Sequence, residues 1–415
     1  MAVRTSFSLT LALAVAALLA LATSAGGYRF GPNVRQLAPE QTVFDWTTQR
    51  CADDHIPDTP ARAFKDSNGQ VQLITSHYVN RRMIGPTLDT VAVDCTVTMS
   101  SHGNADPAAY DDKEWLHSFW TPDGKSIAAL VHEEYHGWEH PGMCLFQGNP
   151  NHPKLTTVPA PPRLTSSDPS CWYNAITLAT SVDSGRTFTH ATPPNQLAAS
   201  VPYKYALNEL PYGYFNPSNI IRRPDGYFYS LIVAQTYGVQ QPGVCVMRTR
   251  NLVSPISWRV WDGSGYNVKF IDPYIDPSPP EQHVCQPVAF NEIELMNSNV
   301  TYSSFFGKYL VIGATSLYDP GIGDYVFGVY YSTSSDLVNW SQRQLVMEAE
   351  LPWSYQCGDD NPILYPSALV QTASRNFENS GKKVWLYFTR FNNENCVLGL
   401  DSDLIRIPIE FISPT

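Results

Sequence analysis

Residues 132–137 place two acidic side chains next to each other at the end of an apolar strand pattern. Successive side chains of a strand point to opposite faces, so only one of Glu133 and Glu134 can face a given pocket. Asp58 and Glu114 are further candidates, because each stands at the start of a predicted strand. Two carboxyl groups that share a pocket can divide the acid and base roles of a reaction between them. The predicted catalytic residues are therefore Asp58, Glu114, Glu133 and Glu134.

The same run alternates histidine with glutamate, which are both metal ligands. A zinc or calcium site needs more ligands than this run supplies, and the chain has no CxxC pair. We therefore predict neither a metal nor any other cofactor.

The elements that hold these residues recur along the chain. A strand, a turn that usually contains glycine, and a second apolar strand occur five times, and most copies continue into a polar turn and an outer strand. Four-stranded antiparallel sheets that repeat in this way form a radial propeller. We predict an all-β fold, a five-bladed β-propeller of four-stranded antiparallel blades, with an irregular pair of β-sandwiches as the alternative. The predicted inner strands begin near Asp58, Glu114, Asn216, Gln286 and Tyr365.

The first 25 residues have the pattern of a signal peptide, with Arg4 ahead of an apolar run from Leu9 to Leu21. A retained N-terminal anchor is the alternative. We predict that residues 26–415 form one propeller domain, secreted and monomeric. No later segment reaches the roughly 18 apolar residues of a membrane span. The net charge of −11 argues against a nucleic-acid partner, which requires a basic face.

Eight cysteines behind a signal peptide indicate disulfides. Cys51 and Cys357 each precede a predicted inner strand, and Cys95 and Cys396 each follow the second strand of the same blade. These two bridges would be copies of one another, and the other two follow by elimination and closeness in sequence. The predicted bridges are Cys51–Cys95, Cys144–Cys171, Cys245–Cys285 and Cys357–Cys396.

Two outer segments carry a family resemblance. Residues 334–340 (SSDLVNW) resemble the outer motif of the five-bladed propeller glycosidases of glycoside hydrolase families 43, 62 and 32. Residues 181–188 (SVDSGRTF) are similar to the Asp-box of sialidases, with Phe188 where tryptophan is usual. In both segments an aspartate can hydrogen-bond its own turn. The blade pattern covers residues 41–413 and implies the fold rather than the chemistry, because such turns lie on the outer side of the blades.

The resemblance implies a polar pocket at the mouth of the central channel, where first strands start and second strands end. It implies that Asp58 is the base and that Glu114 adjusts the pKa of the acid. The acid of the family would start the third blade, but this chain has Asn216 there, and asparagine cannot donate a proton at neutral pH. The candidates for the acid are then Glu133, Glu134 and Glu209.

Polar side chains at this mouth would bind the substrate, and tryptophans there would stack on sugar rings. The predicted binding residues are His77, Arg82, His136, Trp138, Asn216, Gln286, Trp353, Asp360 and Arg390.

The implied activity is that of a secreted glycoside hydrolase on a polysaccharide or oligosaccharide. Asp58 would be ionised, and a glutamate with a raised pKa would be the acid. A non-catalytic carbohydrate-binding propeller is the alternative, favoured by the missing acid at Asn216. A sialidase-like hydrolase is another, and its arginines would come from Arg62, Arg82, Arg248 and Arg390.

Overall fold

The computed structural model describes residues 28–144, 170–359, 361–371, 373–394 and 396–412. The predicted signal peptide and Asp360 lie outside these residues. The α-helices of the described chain are single turns, α1 (Trp46–Gln49) and α2 (Phe290–Ile293). Its 3-10 turns are Gly137–Glu139, Pro255–Ser257 and Pro280–Gln282. Among the described residues, no helix has the length and apolar character needed to cross a bilayer.

The rest of the regular structure is β-strand, and many strands are buried on both faces. Such continuous apolar runs are expected where each sheet packs between two neighbours. In chain order, the strands of the described residues are β1 (Val34–Gln36), β2 (Gln41–Phe44), β3 (Arg62–Lys65), β4 (Val71–Ile74), β5 (Val79–Gly85), β6 (Ala92–Ser100), β7 (Lys113–Trp120), β8 (Ile127–His136), β9 (Trp172–Ser181), β10 (Thr189–His190), β11 (Leu197–Ala199), β12 (Tyr212–Phe215), β13 (Ile221–Arg222), β14 (Phe228–Gln235), β15 (Gly243–Thr249), β16 (Arg259–Val260), β17 (Asn299–Ser303), β18 (Lys308–Asp319), β19 (Asp324–Ser334), β20 (Gln344–Glu348), β21 (Ile363–Leu369), β22 (Asn379–Ser380), β23 (Lys383–Phe391) and β24 (Ser402–Phe411).

Antiparallel pairing groups the strands of the described chain into five successive units. The first unit is β3 to β6, and the second is β7 to β9 with the short strands β10 and β11. The third is β12 to β16, and the fourth is β17 to β20. The fifth contains β21, β23 and β24, and β22 pairs with β17 of the fourth. A short parallel pairing between β9 and β12 joins the second and third units into one ten-stranded sheet.

Hydrogen bonds along the inner strands join these units into a closed ring. From donor to acceptor, and in order around the ring, they are Arg62 Nε to His117 O (3.1 Å), Ser118 Oγ to Pro217 O (3.0 Å), Val300 N to Asn219 Oδ1 (2.7 Å), Ala368 N to Asn299 Oδ1 (3.2 Å) and Ser367 Oγ to Ala61 O (2.7 Å). A closed ring of antiparallel sheets is a propeller, so the all-β propeller class is confirmed.

The start of the described chain completes the fifth unit. Both β1 and β2 pair antiparallel with β24, and Val34 of β1 lies opposite Phe411. Both of these side chains belong to the core between the fourth and fifth units. The two ends of the described chain are therefore held in one sheet by backbone hydrogen bonds.

The inner strand of the fourth unit begins later than predicted. Residues 286–288 are irregular and α2 follows them, whereas β17 is the inner strand of this unit. Pro287 has no N–H group to donate to a neighbouring strand, while β17 contains two β-branched residues that favour strands. The prediction that a strand starts at Gln286 was wrong.

The four predicted disulfides are confirmed, with Cα–Cα distances between 5.0 and 6.1 Å. The two polar turns also form as predicted. Asp183 accepts a hydrogen bond from Thr187 N (3.0 Å), and Asp336 accepts one from Asn339 N (2.8 Å). The aromatic residue that follows each turn is buried in the core. Local turn chemistry therefore holds the outer edges of the second and fourth units.

Candidate active site

The end of β8 presents one carboxylate between two histidines. Glu134 Oε2 lies 2.8 Å from His136 Nε2, and its Oε1 lies 3.4 Å from His132 Nδ1. These three residues share a face of β8 because side chains alternate along a strand. The other nitrogen of His132 lies 3.0 Å from Asn174 Oδ1 on β9, which fixes the ring in place.

Asp58 lies in the irregular segment before β3, where three units meet. Trp115 Nε1 on β7 donates a hydrogen bond to its Oδ2 (2.9 Å), and the hydroxyl of Tyr365 on β21 donates to its Oδ1 (3.1 Å). The charges of Glu134 and His136 act directly on the Asp58 carboxyl. The closed ring therefore brings two carboxyl groups, Asp58 and Glu134, into one site.

The environment of Asp58 favours its protonated form. Burial and the negative charge of Glu134 raise the pKa of Asp58 to about 7. The hydrogen bonds from Trp115 and Tyr365 stabilise the carboxylate and oppose this rise, but they do not cancel it. A substantial share of Asp58 therefore carries a proton at neutral pH.

The environment of Glu134 favours the opposite state. Burial alone would raise the pKa of Glu134, but His132 and His136 outweigh burial and lower it. Burial likewise opposes the charge on His136, yet its contacts with Glu134 and Glu139 raise its pKa to about 9. At neutral pH, Glu134 is thus a carboxylate paired with the imidazolium of His136.

These electrostatics reverse the roles that the sequence implied. Asp58 was expected to be the ionised group and a glutamate to be the group with a raised pKa. The pKa of Asp58 is raised and that of Glu134 is lowered, because His132 and His136, the partners of the Glu134 carboxylate, stand on the glutamate's own strand. The raised pKa of Asp58 therefore disagrees with the expectation that Asp58 is largely ionised.

Aromatic rings border the Glu134 side of the site. The ring of His136 stacks on the half-buried Trp138, with centroids 4.2 Å apart. Trp172 stands edge-on to Trp138 at 6.1 Å. His77 lies against Trp115 on the Asp58 side, and burial lowers its pKa to about 4, so its ring is neutral. Flat apolar faces beside polar groups suit the binding of a sugar ring.

The other two predicted acids lie on the opposite faces of their strands. Glu133 is fully buried, pairs across the strands with Glu114, and accepts a hydrogen bond from Asp112 N (3.4 Å). Glu114 faces Asp111, and burial together with Asp111 raises the pKa of Glu114 to about 9. The structure therefore places neither of them beside Asp58. Each is one residue away from a side chain that faces the site, so its own side chain points to the other face of the strand.

Two predicted binding residues belong to other parts of the molecule. Arg82 is buried, and its guanidinium donates to Gly185 O (2.7 Å), so it ties the first unit to the outer turn of the second. Gln286 is exposed and lines an outer cleft with Trp261 and Asp336. Placing Arg82 and Gln286 at the channel mouth was wrong, since neither lies at the inner end of a strand.

The remaining predicted binding residues have separate surroundings. The side chain of Asn216 interacts with the ring of His132, which brings it into the site. Arg390 pairs with Glu40 (2.7 Å) and lines a cleft of about 900 Å³. The preceding residue, Thr389, donates a hydrogen bond to Pro57 O (2.6 Å), beside Asp58. Trp353 is partly buried against the core of the fourth and fifth units, and Asp360 lies outside the described residues.

Sequence reasoning missed the part played by Tyr365. It was recognised as the start of the fifth inner strand, but its hydroxyl is a direct partner of Asp58. Trp115 is a second such residue, because its indole N–H holds the Asp58 carboxyl. Strand starts converge at one end of a propeller, and this is the signal that would have paired Tyr365 with Asp58.

Trp115→Phe is expected to raise the pKa of Asp58. The indole N–H stabilises the carboxylate, so its removal favours the proton-bound form, while phenylalanine keeps an aromatic ring in place. A ¹³C NMR titration of the Asp58 carboxyl carbon, assigned from the Asp58→Asn spectrum, measures the shift. Trp172→Phe is the matched control, because its indole N–H has no hydrogen-bond partner among the described residues. An Asp58 pKa that stays unchanged or falls in Trp115→Phe contradicts the assignment.

Comparisons with known proteins give structural likeness alone. No protein-family model matches the chain, and no curated protein matches it. An endo-arabinase from Bacteroides thetaiotaomicron VPI-5482 is 8% identical, with a TM-score of 0.45 over 89% of this chain and 97% of that one. An exo-1,5-alpha-L-arabinanase from a bovine ruminal metagenomic library is 9% identical, with a TM-score of 0.44 over 86% and 96%. A xylan beta-1,4-xylosidase from Bacillus halodurans C-125 is 10% identical, with a TM-score of 0.40 over 85% and 53%. At these values the chemistry has to be derived from the residues of this chain.

Proposed function

We propose that this chain is a secreted glycoside hydrolase, a single propeller domain behind a signal peptide, acting as a monomer on an oligosaccharide or polysaccharide. The observation that carries the proposal is the carboxyl pair Asp58 and Glu134 in one site, where burial and Glu134 raise the pKa of Asp58 while His132 and His136 lower that of Glu134. Cleavage of a glycosidic bond needs one protonated and one ionised carboxyl group on either side of that bond.

In this proposal Asp58 is the general acid and Glu134 is the base or nucleophile. Asp58 gives its proton to the glycosidic oxygen as the bond to the leaving sugar breaks. Glu134 then acts on the opposite face of the ring, either by activating a water molecule or by attacking the anomeric carbon. The imidazolium of His136 keeps Glu134 ionised, and Trp138 offers a stacking face for the sugar.

Secretion is supported by the apolar N-terminal segment, which has the pattern of a signal peptide. The four disulfides are consistent with it, since such bridges persist in oxidising compartments.

The purified protein is expected to release reducing sugar from at least one member of a polysaccharide panel that includes arabinan, galactan and xylan. Because Asp58 must be protonated and Glu134 ionised, activity should decline as the pH rises through about 7 and should persist well below that value. The control is the double variant Asp58→Asn, Glu134→Gln, prepared in parallel and assayed on the same panel.

Equal release by the wild type and the double variant would show that the measured activity comes from a contaminant or from another site. Binding of a glycan by both proteins without hydrolysis by either would support the carbohydrate-binding alternative instead.

A further inference from the structure

A second cluster of ionisable side chains lies at the seam between the first and second units. His102 and Asp111 belong to the connection between β6 and β7, Glu114 lies on β7, and His190 lies on β10. Glu114 and Trp115 are neighbours on β7 and therefore point to opposite faces, so this cluster is separate from the Asp58 carboxyl.

Three of these side chains converge on one point, and the fourth, His190, contacts Glu114. His102 Nδ1 lies 2.6 Å from an Asp111 oxygen, and His190 Nε2 lies 3.1 Å from Glu114 Oε1. One ligand atom from each of His102, Asp111 and Glu114 lies within 4.8 Å of the other two. Zinc bonds of about 2.0–2.2 Å in a tetrahedron place ligand atoms about 3.3–3.6 Å apart. Small side-chain rotations would therefore bring these atoms around one ion.

Glu114 provides an independent observation. Its side chain is 0% exposed, and neither of its oxygens accepts a hydrogen bond of acceptable geometry from the described part of the chain. The nearby His190 Nε2 also lacks such a bond to a described residue. Buried polar atoms without a hydrogen bond are rare and costly. A cation bound by His102, Asp111 and Glu114, with His190 turned toward it, would give these atoms partners.

The ligand types select the ion. Two imidazole nitrogens and two carboxylate oxygens suit zinc, whereas calcium and magnesium prefer oxygen ligands alone. His102 is 66% exposed, which gives an ion a path from solvent to the buried carboxylate. With His190 turned toward the ion as the fourth ligand, the tetrahedral shell would be filled, so the ion would hold the structure together and would have no open position for a substrate.

We propose that His102, Asp111, Glu114 and His190 form a structural zinc site that ties the connection between the first two units to the outer edge of the second. The inference is independent of the proposed hydrolase activity, because none of the four residues contacts Asp58 or Glu134. Binding to the folded chain alone would raise its thermal stability by mass action.

The full chain, free of any affinity tag, is expected to hold one zinc ion per molecule by elemental analysis. Removal of the ion with a chelator should lower the Tm by several degrees. Added zinc should restore the Tm, and added calcium or magnesium should not.

His102→Ala is the first test variant, because this exposed side chain can be removed without disturbing the core. We expect zinc affinity, measured by competition with a chromophoric chelator, to fall at least tenfold, with the Tm of the metal-free protein unchanged. Asp111→Asn, which keeps the side-chain shape, should weaken zinc binding similarly. His283→Ala is the matched control, since His283 is half-buried and lies outside the cluster. Absence of zinc from the wild type with no response of its Tm to added zinc, or equal affinity in His102→Ala and His283→Ala, would overturn the site.

Discussion

Asp58→Asn is expected to lower kcat/KM on a natural glycoside by about 10³-fold, the usual scale of general acid catalysis. On a dinitrophenyl glycoside of the same sugar the loss should stay within about tenfold, because this leaving group departs without a proton. The contrast follows from the raised pKa of Asp58, which makes it the proton donor of the pair. Steady-state kinetics on both substrates measure it.

The Asp58→Asn experiment also separates the two possible assignments of the carboxyl pair. If Asp58 were the base, as the family resemblance implied, both substrates would suffer the same large loss. Asp324→Asn, in an exposed hairpin, is the control for an aspartate-to-asparagine change and should leave kcat/KM unchanged on both substrates. Near-ultraviolet circular dichroism verifies that each variant is folded.

The features that were predictable from sequence are those encoded locally. Strand, glycine turn and strand recur within short stretches, so the propeller and most of its inner strands followed from periodicity and turn chemistry. Cys51 and Cys357 each precede an inner strand of this repeat, and their equivalent positions predicted the disulfide pairing. The structure brings Asp58, Glu134, His136 and Asn216 together for a similar reason, since strand starts and ends converge in a closed ring.

The features that escaped prediction depend on partners far apart in the chain. Tyr365 lies 307 residues from the Asp58 that it holds, and Arg82 donates to Gly185 across 103 residues. The choice between Glu133 and Glu134 depends on register, because a shift of one residue exchanges the faces of a strand. The protonation of Asp58 depends on a charge from the second unit. Such properties exist only after the ring has closed.

Glu134→Gln is expected to abolish turnover of natural and dinitrophenyl glycosides alike, with kcat/KM lower by about 10³-fold or more on each. An amide can neither activate water nor attack the anomeric carbon, and a better leaving group does not compensate for that loss. The same change removes the negative charge that helps to raise the pKa of Asp58, so that pKa should fall below about 7. Kinetics on both substrates and the ¹³C titration of Asp58 measure the two effects.

Glu133→Gln is the matched control for Glu134→Gln. It makes the same chemical change one residue earlier, but on the opposite face of β8, where burial already raises the pKa of Glu133 and keeps it protonated. Glutamine closely mimics a protonated glutamate, so kcat/KM should stay within a few-fold of the wild type. The assignment of Glu134 is rejected if Glu133→Gln is the more damaging change. It is equally rejected if Glu134→Gln retains turnover of the dinitrophenyl glycoside, because that pattern belongs to an acid and not to the group that acts on the anomeric carbon.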